Sequence, residues 1–283
     1  MPPSARRSCL SVPGSSERKL AKAPQLAADE VVIDLEDAVA VDAKDAARAT
    51  TVQALASWSG PGVAVRVNAP GTPWCHLDIA AVGALPVLPA SIVVPKVQGA
   101  GDLAFVDRLL DGVEAGSDRG VPLRVQALIE TAAGLARIDE IAAASPRLDA
   151  LILGYADLAA SLGGARDLDA WLPAQHAVVV AARANGVQAI DGPYLGVAAD
   201  DAFRSAAARA RDLGFDGKWA IHPSQVPALN ETFTPGEAEV ARARAIVDAL
   251  ESAEEGAVTL DGEMLDEAVR AAALRVLARA DVA

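Results

Sequence analysis

The chain has 283 residues, of which 52% are hydrophobic and 4% aromatic, and its formal net charge is −13. This length and apolar content suffice for one large α/β domain with a core of Ala, Val, Leu and Ile. The negative charge argues against general nucleic-acid binding and against a basic membrane-docking surface. No apolar run reaches the ~20 residues that span a bilayer. We therefore expect a cytoplasmic protein that binds neither nucleic acid nor a membrane.

Short apolar runs alternate with helix-like segments along the chain. Alternation of this kind is typical of a parallel sheet covered by helices, and the number of runs matches a (β/α)8 barrel. An open doubly wound sheet is the alternative, but no GxGxxG follows any run. The runs are Cys9–Val12, Glu30–Leu35, Gly62–Val67, Ser91–Val97, Val121–Ile129, Leu148–Leu153, Val187–Ile190 and Lys218–Ile221.

The first run ends in a glycine-containing turn that is followed by basic residues. The turn is Pro13-Gly14-Ser15-Ser16, and Arg18, Lys19 and Lys22 come after it. Such a turn can offer backbone N–H groups to a phosphate, with the basic side chains adding charge. A solvated helix face explains the same residues equally well.

Charged residues also stand at or near the ends of the next three runs. Asp34, Glu36 and Asp37 close the second run, and three acids so close together are costly unless they are paired or near a metal. Arg66 lies inside the third run, where its planar fork suits the carboxylate of a protein or of a substrate. Lys96 ends the fourth run, and we expect it to pair with a nearby acid rather than to form a Schiff base.

The segment from Leu123 to Asp157 predicts a strand, a helix and a second strand. Glu130 follows the first strand and Asp157 follows the second. Neighbouring parallel strands place both carboxylates at one end of the sheet, where two like charges need a cation between them. Hard oxygen ligands favour Mg²⁺ or Mn²⁺ over zinc. The alternative is that Glu130 caps the helix and Asp157 pairs with a surface base.

Several catalytic patterns are missing. His76, His176 and His222 form no zinc motif, and Cys9 and Cys75 form neither a CxxC nor a disulfide framework. The chain also lacks a GxSxG sequence and a P-loop, so serine hydrolysis and nucleotide phosphoryl transfer are not favoured.

A C-terminal extension follows the eighth run. Thr234-Pro235-Gly236-Glu237 predicts a helix start with Thr234 as N-cap. A glycine-containing connection from Gly256 to Asp266 then leads to a last Ala-rich helix. We predict a barrel domain over residues 1–230 and a helical lid or oligomer arm over residues 231–283. A plain αα-hairpin on the outside of the barrel is the alternative.

Together, seven short motifs resemble the citrate lyase β-subunit-like branch of the HpcH/HpaI aldolase family, which includes citryl-, malyl- and citramalyl-CoA lyases. They occur in the family's order across nearly the whole chain. The motifs are Arg7-Ser8 with Val12-Pro13-Gly14, Asp34-Leu35-Glu36-Asp37-Ala38-Val39, Arg66-Val67-Asn68, Pro95-Lys96-Val97, Ile129-Glu130-Thr131, Gly154-Tyr155-Ala156-Asp157-Leu158 and Ile221-His222-Pro223.

The resemblance implies a (β/α)8 TIM barrel that binds a single Mg²⁺, with Mn²⁺ as a possible substitute. It implies that Glu130 and Asp157 are the metal ligands and that Glu130 also contacts substrate. Arg66 would hold the carboxylate of a 2-oxo acid, and Glu36 and Asp37 would support Arg66 and the waters of the metal.

The resemblance also assigns the thioester end of the substrate. It implies that Arg7, Pro13 and Gly14 face the acyl-CoA. Asp266 falls where these lyases carry a catalytic acid on a lid lent by the neighbouring subunit of a homotrimer or hexamer. The family often has a proline two residues after that acid, whereas this chain has Ala268.

The expected activity is Mg²⁺-dependent cleavage of a 3-hydroxy-3-carboxyacyl-CoA into acetyl-CoA, or a close acyl-CoA, and a 2-oxo acid. Three alternatives stay open. They are a pyruvate-type aldolase that acts on free 2-oxo acids, an acyl-CoA thioesterase, and a non-catalytic acyl-CoA-binding subunit.

Overall fold

A computed structural model describes residues 5–87, 89–164, 168–252 and 258–282. The chain divides into two compact units, Arg6–Asn230 and a second unit that contains Glu231–Ala283. Each unit is described by itself below. The beginning of the predicted connection, at Gly256, lies outside the described residues.

In the first unit, eight described strands form a closed parallel barrel in which each strand pairs with the next and β8 pairs with β1. This confirms the predicted TIM barrel, and the strands fall within or overlap the apolar runs of the sequence. The strands are β1 Ser8–Pro13, β2 Glu30–Asp34, β3 Gly62–Arg66, β4 Ser91–Val94, β5 Arg124–Ile129, β6 Leu148–Leu153, β7 Gln188–Asp191 and β8 Gly217–Ala220.

Helices connect the strands, as the alternating pattern predicts. Among the described helices, none is long and apolar enough to cross a membrane. The helices up to the boundary of the second unit are α1 Glu17–Lys22, α2 Lys44–Ala56, α3 Cys75–Gly83, α4 Ala100–Ala115, α5 Ala132–Ala136, α6 Ile138–Ala142, α7 Tyr155–Leu162, α8 Leu172–Asn185, α9 Asp201–Leu213 and α10 Val226–Phe233.

The barrel strands are buried, which explains why they appear in the sequence as continuous apolar runs. A cluster of buried side chains joins all eight strands: Cys9, Val32, Ala64, Val93, Leu128, Ala150, Ile152, Ile190 and Trp219. The pairing register sets Asp34 of β2 beside Arg66 of β3, at the carboxyl ends of both strands. In a TIM barrel this end carries the functional residues.

The amino-terminal end of the barrel is closed by a polar network. The Arg6 guanidinium is buried and donates to Glu30 Oε1 at 3.0 Å and to Asp149 Oδ2 at 3.0 Å. The Gln126 amide donates to Glu30 Oε2 at 2.9 Å and to Ser91 Oγ at 2.8 Å. Most of these buried polar groups pair with one another, although Gln126 Oε1 and Asp149 Oδ1 have no hydrogen-bond partner among the described residues, so this end of the barrel is a structural plug.

The second unit contains α11 Glu237–Glu251, β9 Val258–Leu260, β10 Glu263–Leu265 and α12 Glu267–Val282. The two strands form an antiparallel hairpin, where the sequence analysis expected only a connection between helices. Its turn residues Asp261 and Gly262 both have positive φ, as the Asp-Gly hairpin turn requires. The predicted N-cap at Thr234 is wrong, because α11 begins at Glu237 with Gly236 as its N-cap.

Candidate active site

The carboxyl ends of β2 to β6 bring together charged residues that are far apart in the chain. Glu36 follows β2, Arg66 ends β3, Lys96 follows β4 and Glu130 follows β5. Asp157 stands in the first turn of α7, directly after β6. We call this group of three carboxylates and two cations the acid cluster.

Arg66 is held by several contacts within and around the acid cluster. Its Nε donates to Asp34 Oδ1 at 2.8 Å and its Nη2 donates to Asp34 Oδ2 at 2.5 Å. The guanidinium carbon lies 5.6 Å from the centroid of the Trp219 ring. Burial lowers the pKa of Arg66, but the charge and hydrogen bonds of Asp34 outweigh it and raise the pKa. Arg66 is therefore a fixed cation at the mouth of the barrel.

Glu36 lies between Arg66 and Lys96. Its Oε1 contacts the Lys96 ammonium, and its Oε2 lies 3.0 Å from Arg66 Nη1 without hydrogen-bond geometry. Burial raises the pKa of Glu36, against the opposing charge of Arg66. Oε2 is thus a buried oxygen whose hydrogen-bonding capacity is not used by the described residues.

Glu130 is a buried carboxylate, and the charges of Arg66 and Lys96 only partly offset the effect of burial on its pKa. Its Oε1 accepts a hydrogen bond from the backbone N–H of Lys96 at 2.9 Å, and the whole residue is 2% exposed. Burial, together with the charges of Glu36 and Asp157, raises the pKa of Glu130 to about 8. Thr131, not Glu130, caps the next helix by accepting the N–H of Gly134 at 3.0 Å.

Gly154 makes room for this carboxylate. A Cβ atom at Gly154 would lie 2.6 Å from both Cβ and Oε2 of Glu130, which is too close for any side chain. The absence of a side chain therefore lets the β6–α7 turn, with Asp157, approach Glu130 closely.

Lys96 connects the remaining carboxylates. Its Nζ contacts Glu36 and lies 3.5 Å from Asp37 Oδ1 and 3.9 Å from Asp157 Oδ1. This confirms the prediction that Lys96 pairs with a nearby acid. Burial lowers the pKa of Lys96, but the hydrogen bond and charge of Glu36 outweigh it and raise the pKa. The backbone φ of Lys96 is +53°, a left-handed conformation that is uncommon outside glycine. Residues with such strained backbones cluster at functional sites.

The donor set of the acid cluster fits a divalent cation with oxygen ligands. Glu130 and Asp157 stand on adjacent strand ends, and burial, followed by the charges of Glu36 and Asp157, raises the pKa of Glu130. Within the described residues, no three His, Cys, Asp or Glu side chains are grouped as a complete metal site. Two carboxylates completed by water and substrate oxygens are the usual ligand set of Mg²⁺.

A cavity of about 600 Å³ opens beside the acid cluster and shares Arg66 with it, and Asp37 next to the cluster also lines this cavity. One wall comes from α1 and contributes three basic side chains, Arg18, Lys19 and Lys22. The other lining residues are Leu10, Ser11, Val12, Pro13, Leu26, Asp34, Ala38, Ile221, His222 and Pro223. The cavity is therefore mainly apolar, with cations on one side and the Arg66–Asp34 pair at its inner end.

Two residues predicted to bind the acyl-CoA do not reach this cavity. Arg7 precedes β1 at the opposite end of the barrel, where its Nη2 lies 2.8 Å from Asp29 Oδ1. Gly14 packs between neighbouring elements, since its N–H donates to the Asp34 carbonyl at 2.8 Å and a Cβ would meet Leu35 at 2.9 Å. We do not retain Arg7 or Gly14 as substrate ligands for these reasons, whereas Pro13 lines the cavity.

Asp266 lies in the second unit. Its Oδ1 accepts the N–H of Val269 at 3.0 Å, so it caps α12. The predicted catalytic role of Asp266 stays a prediction.

The set of predicted site residues omitted Asp34 and Lys96. The sequence carried a signal for both, because each stands at the carboxyl end of a barrel strand. In the sequence Asp34 is one of three clustered acids, and its pairing with Arg66 follows from the β2–β3 register.

Comparison with known proteins identifies the family. A sequence model of the HpcH/HpaI aldolase/citrate lyase family matches residues 7–223. The chain belongs to this family. The carbon–carbon lyase class expected from the motifs is confirmed by the family and its relatives.

An L-malyl-CoA/beta-methylmalyl-CoA lyase of Cereibacter sphaeroides is 39% identical to this chain, and the alignment covers 94% of this chain and 92% of the lyase. A (3S)-malyl-CoA thioesterase of the same species is 37% identical over 97% and 94%. The solved structure of CitE from Mycobacterium tuberculosis, in complex with magnesium, acetoacetate and coenzyme A, is 31% identical with a TM-score of 0.78 and covers 98% of both chains.

Proposed function

We propose that this protein is a Mg²⁺-dependent lyase that cleaves the carbon–carbon bond of a 3-hydroxy-3-carboxyacyl-CoA. Malyl- and β-methylmalyl-type acyl groups are the first candidates, because the 39% identical lyase aligns over nearly the full length of both chains. The observation that carries the proposal is the acid cluster. In it Lys96 links Glu130 and Asp157 to Glu36, which lies 3.0 Å from Arg66, and Arg66 lines a cavity with a basic wall.

Glu130 and Asp157 would hold the metal. Both are hard oxygen ligands at the carboxyl ends of adjacent strands, and the buried Glu130 has a pKa raised to about 8, so a cation would stabilise its charged form. The chemistry that bound Mg²⁺ supplies is Lewis acidity toward the hydroxyl and carboxylate oxygens of the substrate.

Arg66 would bind the carboxylate that becomes part of the 2-oxo acid. Asp34 and the Trp219 ring hold the guanidinium in one orientation, and Arg66 still lines the cavity. A fixed arginine orients the substrate without losing side-chain freedom during binding. Glu36 and Asp37 would support Arg66, Lys96 and nearby water.

The basic wall of the cavity would receive the phosphates of CoA. Arg18, Lys19 and Lys22 extend from α1 into the cavity of a chain whose net charge is −13, so they form a local positive field in an acidic protein. Apolar lining residues such as Leu10 and Leu26 suit the less polar pantetheine arm.

The reaction balances as a retro-aldol cleavage, in which the proton lost by the hydroxyl and the proton gained at C2 cancel. The substrate hydroxyl loses its proton and becomes the carbonyl of the 2-oxo acid, while the bond between C2 and C3 breaks. The electron pair of that bond forms the thioester enolate, which takes up one proton at C2 to give the acyl-CoA. Asp266 is the proposed donor of this proton.

A thioesterase is the second candidate, because one 37% identical relative has that activity. Hydrolysis through a cysteine nucleophile is not favoured here. Cys9 and Cys75 are buried, and burial raises the pKa of Cys75 to about 12, so its reactive thiolate is scarce at neutral pH.

The test is to incubate the purified protein with malyl-, β-methylmalyl-, citramalyl- and citryl-CoA, with Mg²⁺ or with EDTA. Both the 2-oxo acid and free thiol are measured. The proposal predicts Mg²⁺-dependent 2-oxo acid without free thiol from at least one thioester. Free thiol without 2-oxo acid would establish the thioesterase instead, and neither product from any thioester would favour a binding subunit.

A further inference from the structure

A second group of buried polar residues lies behind the acid cluster and has no part in the proposed chemistry. Lys218 of β8 and Asp191 of β7 form an ion pair in which the residues are 0% and 1% exposed. Lys218 Nζ lies 2.5 Å from Asp191 Oδ2 and donates to the Gly192 carbonyl at 2.6 Å. The pair therefore joins the carboxyl end of β7 to the second residue of β8.

Tyr155 connects this pair to the β6–α7 turn. Its hydroxyl donates to Asp191 Oδ1 and accepts from Gln175 Nε2 of α8 at 2.7 Å. The Lys218 ammonium lies 5.7 Å from the centroid of the Tyr155 ring. The Tyr155 side chain is thus held from three sides, by β7, β8 and α8.

The backbone around Tyr155 is packed as closely as its side chain. A Cβ at Gly192 would lie 2.0 Å from the Leu153 carbonyl oxygen and 2.8 Å from Cδ2 of Tyr155. The end of β7 therefore rests directly on the end of β6 and on the tyrosine ring. This contact leaves the start of α7 no room to shift toward β7.

Stability alone is a weak reason for such a group. A buried ion pair must repay a large desolvation cost, and apolar residues of similar volume often serve as well. What distinguishes this pair is its location, because Tyr155 is the first residue of α7 and Asp157 stands two residues later. The N-cap residue Gly154 offers no side-chain cap, and the Tyr155 side chain ties the first turn of α7 to β7 and α8.

The Asp157 side chain has few restraints of its own. The side chain is 38% exposed, and its Oδ1 lies 3.9 Å from Lys96 Nζ, a distance longer than a hydrogen bond. Its position relative to Glu130 is therefore set mainly by the backbone of the first turn of α7. That backbone is fixed by Tyr155.

We propose that Tyr155, held by Asp191, Lys218 and Gln175, is a positioning residue that sets the Asp157 carboxylate opposite Glu130 and thereby determines how tightly the site binds a divalent cation. The inference rests on the proposed function, since it takes Glu130 and Asp157 as the metal ligands.

The test compares the Mn²⁺ dissociation constants of four full-length proteins, measured from the electron paramagnetic resonance signal of free Mn²⁺. Tyr155→Phe keeps the ring and removes the hydroxyl, and we expect the dissociation constant to rise by about 10- to 100-fold. Ser91→Ala is the matched control, because it also removes one buried hydroxyl, at the opposite end of the barrel. The other two proteins are wild type and Asp157→Asn.

Wild-type affinity in a folded Tyr155→Phe protein would overturn the inference, and so would an equal loss of affinity in Ser91→Ala. If Tyr155→Phe does not fold, Gln175→Leu replaces it, because this change leaves the Tyr155–Asp191 bond and removes only the anchor on α8. We expect weaker Mn²⁺ binding in that variant too, and unchanged binding would overturn the inference. Equal Mn²⁺ binding by wild type and Asp157→Asn would contradict the proposed function itself.

Discussion

Arg66 is held by protein carboxylates independently of any substrate. Asp34 accepts hydrogen bonds from Nε and Nη2 of the Arg66 guanidinium, and Glu36 Oε2 lies 3.0 Å from Nη1. The sequence analysis left open whether this arginine meets a protein acid or a substrate acid, and the structure shows the protein acid. Both roles are compatible, because the guanidinium has five N–H donors and lines the cavity.

Arg66→Lys should test the importance of the planar fork. Lysine keeps the positive charge but loses the two-pronged contact with Asp34, so the cation is no longer fixed. We expect kcat/KM for the cleaved thioester to fall by roughly 10²-fold, with the fold unchanged. Steady-state kinetics and circular dichroism measure the two effects, and unchanged kinetics would show that a positive charge alone is sufficient.

At the scale of secondary-structure elements, the β6–α7 turn decides the geometry of the acid cluster. Gly154 permits the contact with Glu130, Tyr155 anchors the first turn and Asp157 faces Lys96. The same elements appear in the sequence as Gly-Tyr-Ala-Asp after an apolar run. The pattern predicts the acid at the strand end, but it does not reveal the close approach of Gly154 to Glu130, which depends on the β5–β6 pairing.

Gly154→Ala should therefore disturb the site more than the fold. The new Cβ would lie 2.6 Å from the Glu130 carboxylate and must displace it. We expect Mn²⁺ affinity to fall by about 10-fold or more and turnover to fall with it. Gly101→Ala is the control, since a Cβ at that position in α4 meets nothing within 4 Å. Equal metal affinities in the two variants would contradict this account of Gly154.

Asp266 belongs to the start of α12, and two substitutions separate its possible roles. Asp266→Ala removes the cap on the Val269 N–H and should cost about 1 kcal/mol in the free energy of unfolding. Asp266→Asn retains a capping oxygen and should leave stability nearly unchanged. If Asp266 is the acid of the lyase step, turnover of Asp266→Asn should nevertheless fall by roughly 10²–10⁴. Wild-type turnover of Asp266→Asn would leave capping as its function.

For the molecule as a whole, the barrel could be predicted because each buried parallel strand is an apolar run. The site was predicted where an acid or base follows such a run, as with Glu130. Arg7 was misplaced because the family motif outweighed its position: it precedes the first run, Cys9–Val12, and a residue before a barrel strand lies at the end opposite the functional residues. The β9–β10 hairpin was missed although Asp261-Gly262 is a typical hairpin signal.

The assembly expected from the resemblance is a homotrimer or a dimer of trimers. In the single chain, the second unit exposes Met264 by 74% and Leu274 by 42%, apolar surface that association would cover. We expect light scattering coupled to size exclusion to give three or six chains per particle. A stable and fully active monomer at micromolar concentration would contradict both the assembly and a catalytic acid lent by a neighbouring subunit.

The central claim is that the Glu130–Asp157 site cleaves a carbon–carbon bond with the help of a divalent cation. Its most direct test is the rate of 2-oxo acid release from the preferred acyl-CoA by wild type and by Glu130→Gln, both with saturating Mg²⁺. The account predicts one 2-oxo acid and one acyl-CoA per substrate consumed by wild type, and a rate at least about 10²-fold lower in the folded Glu130→Gln protein. Release of 2-oxo acid by Glu130→Gln at the wild-type rate would contradict it.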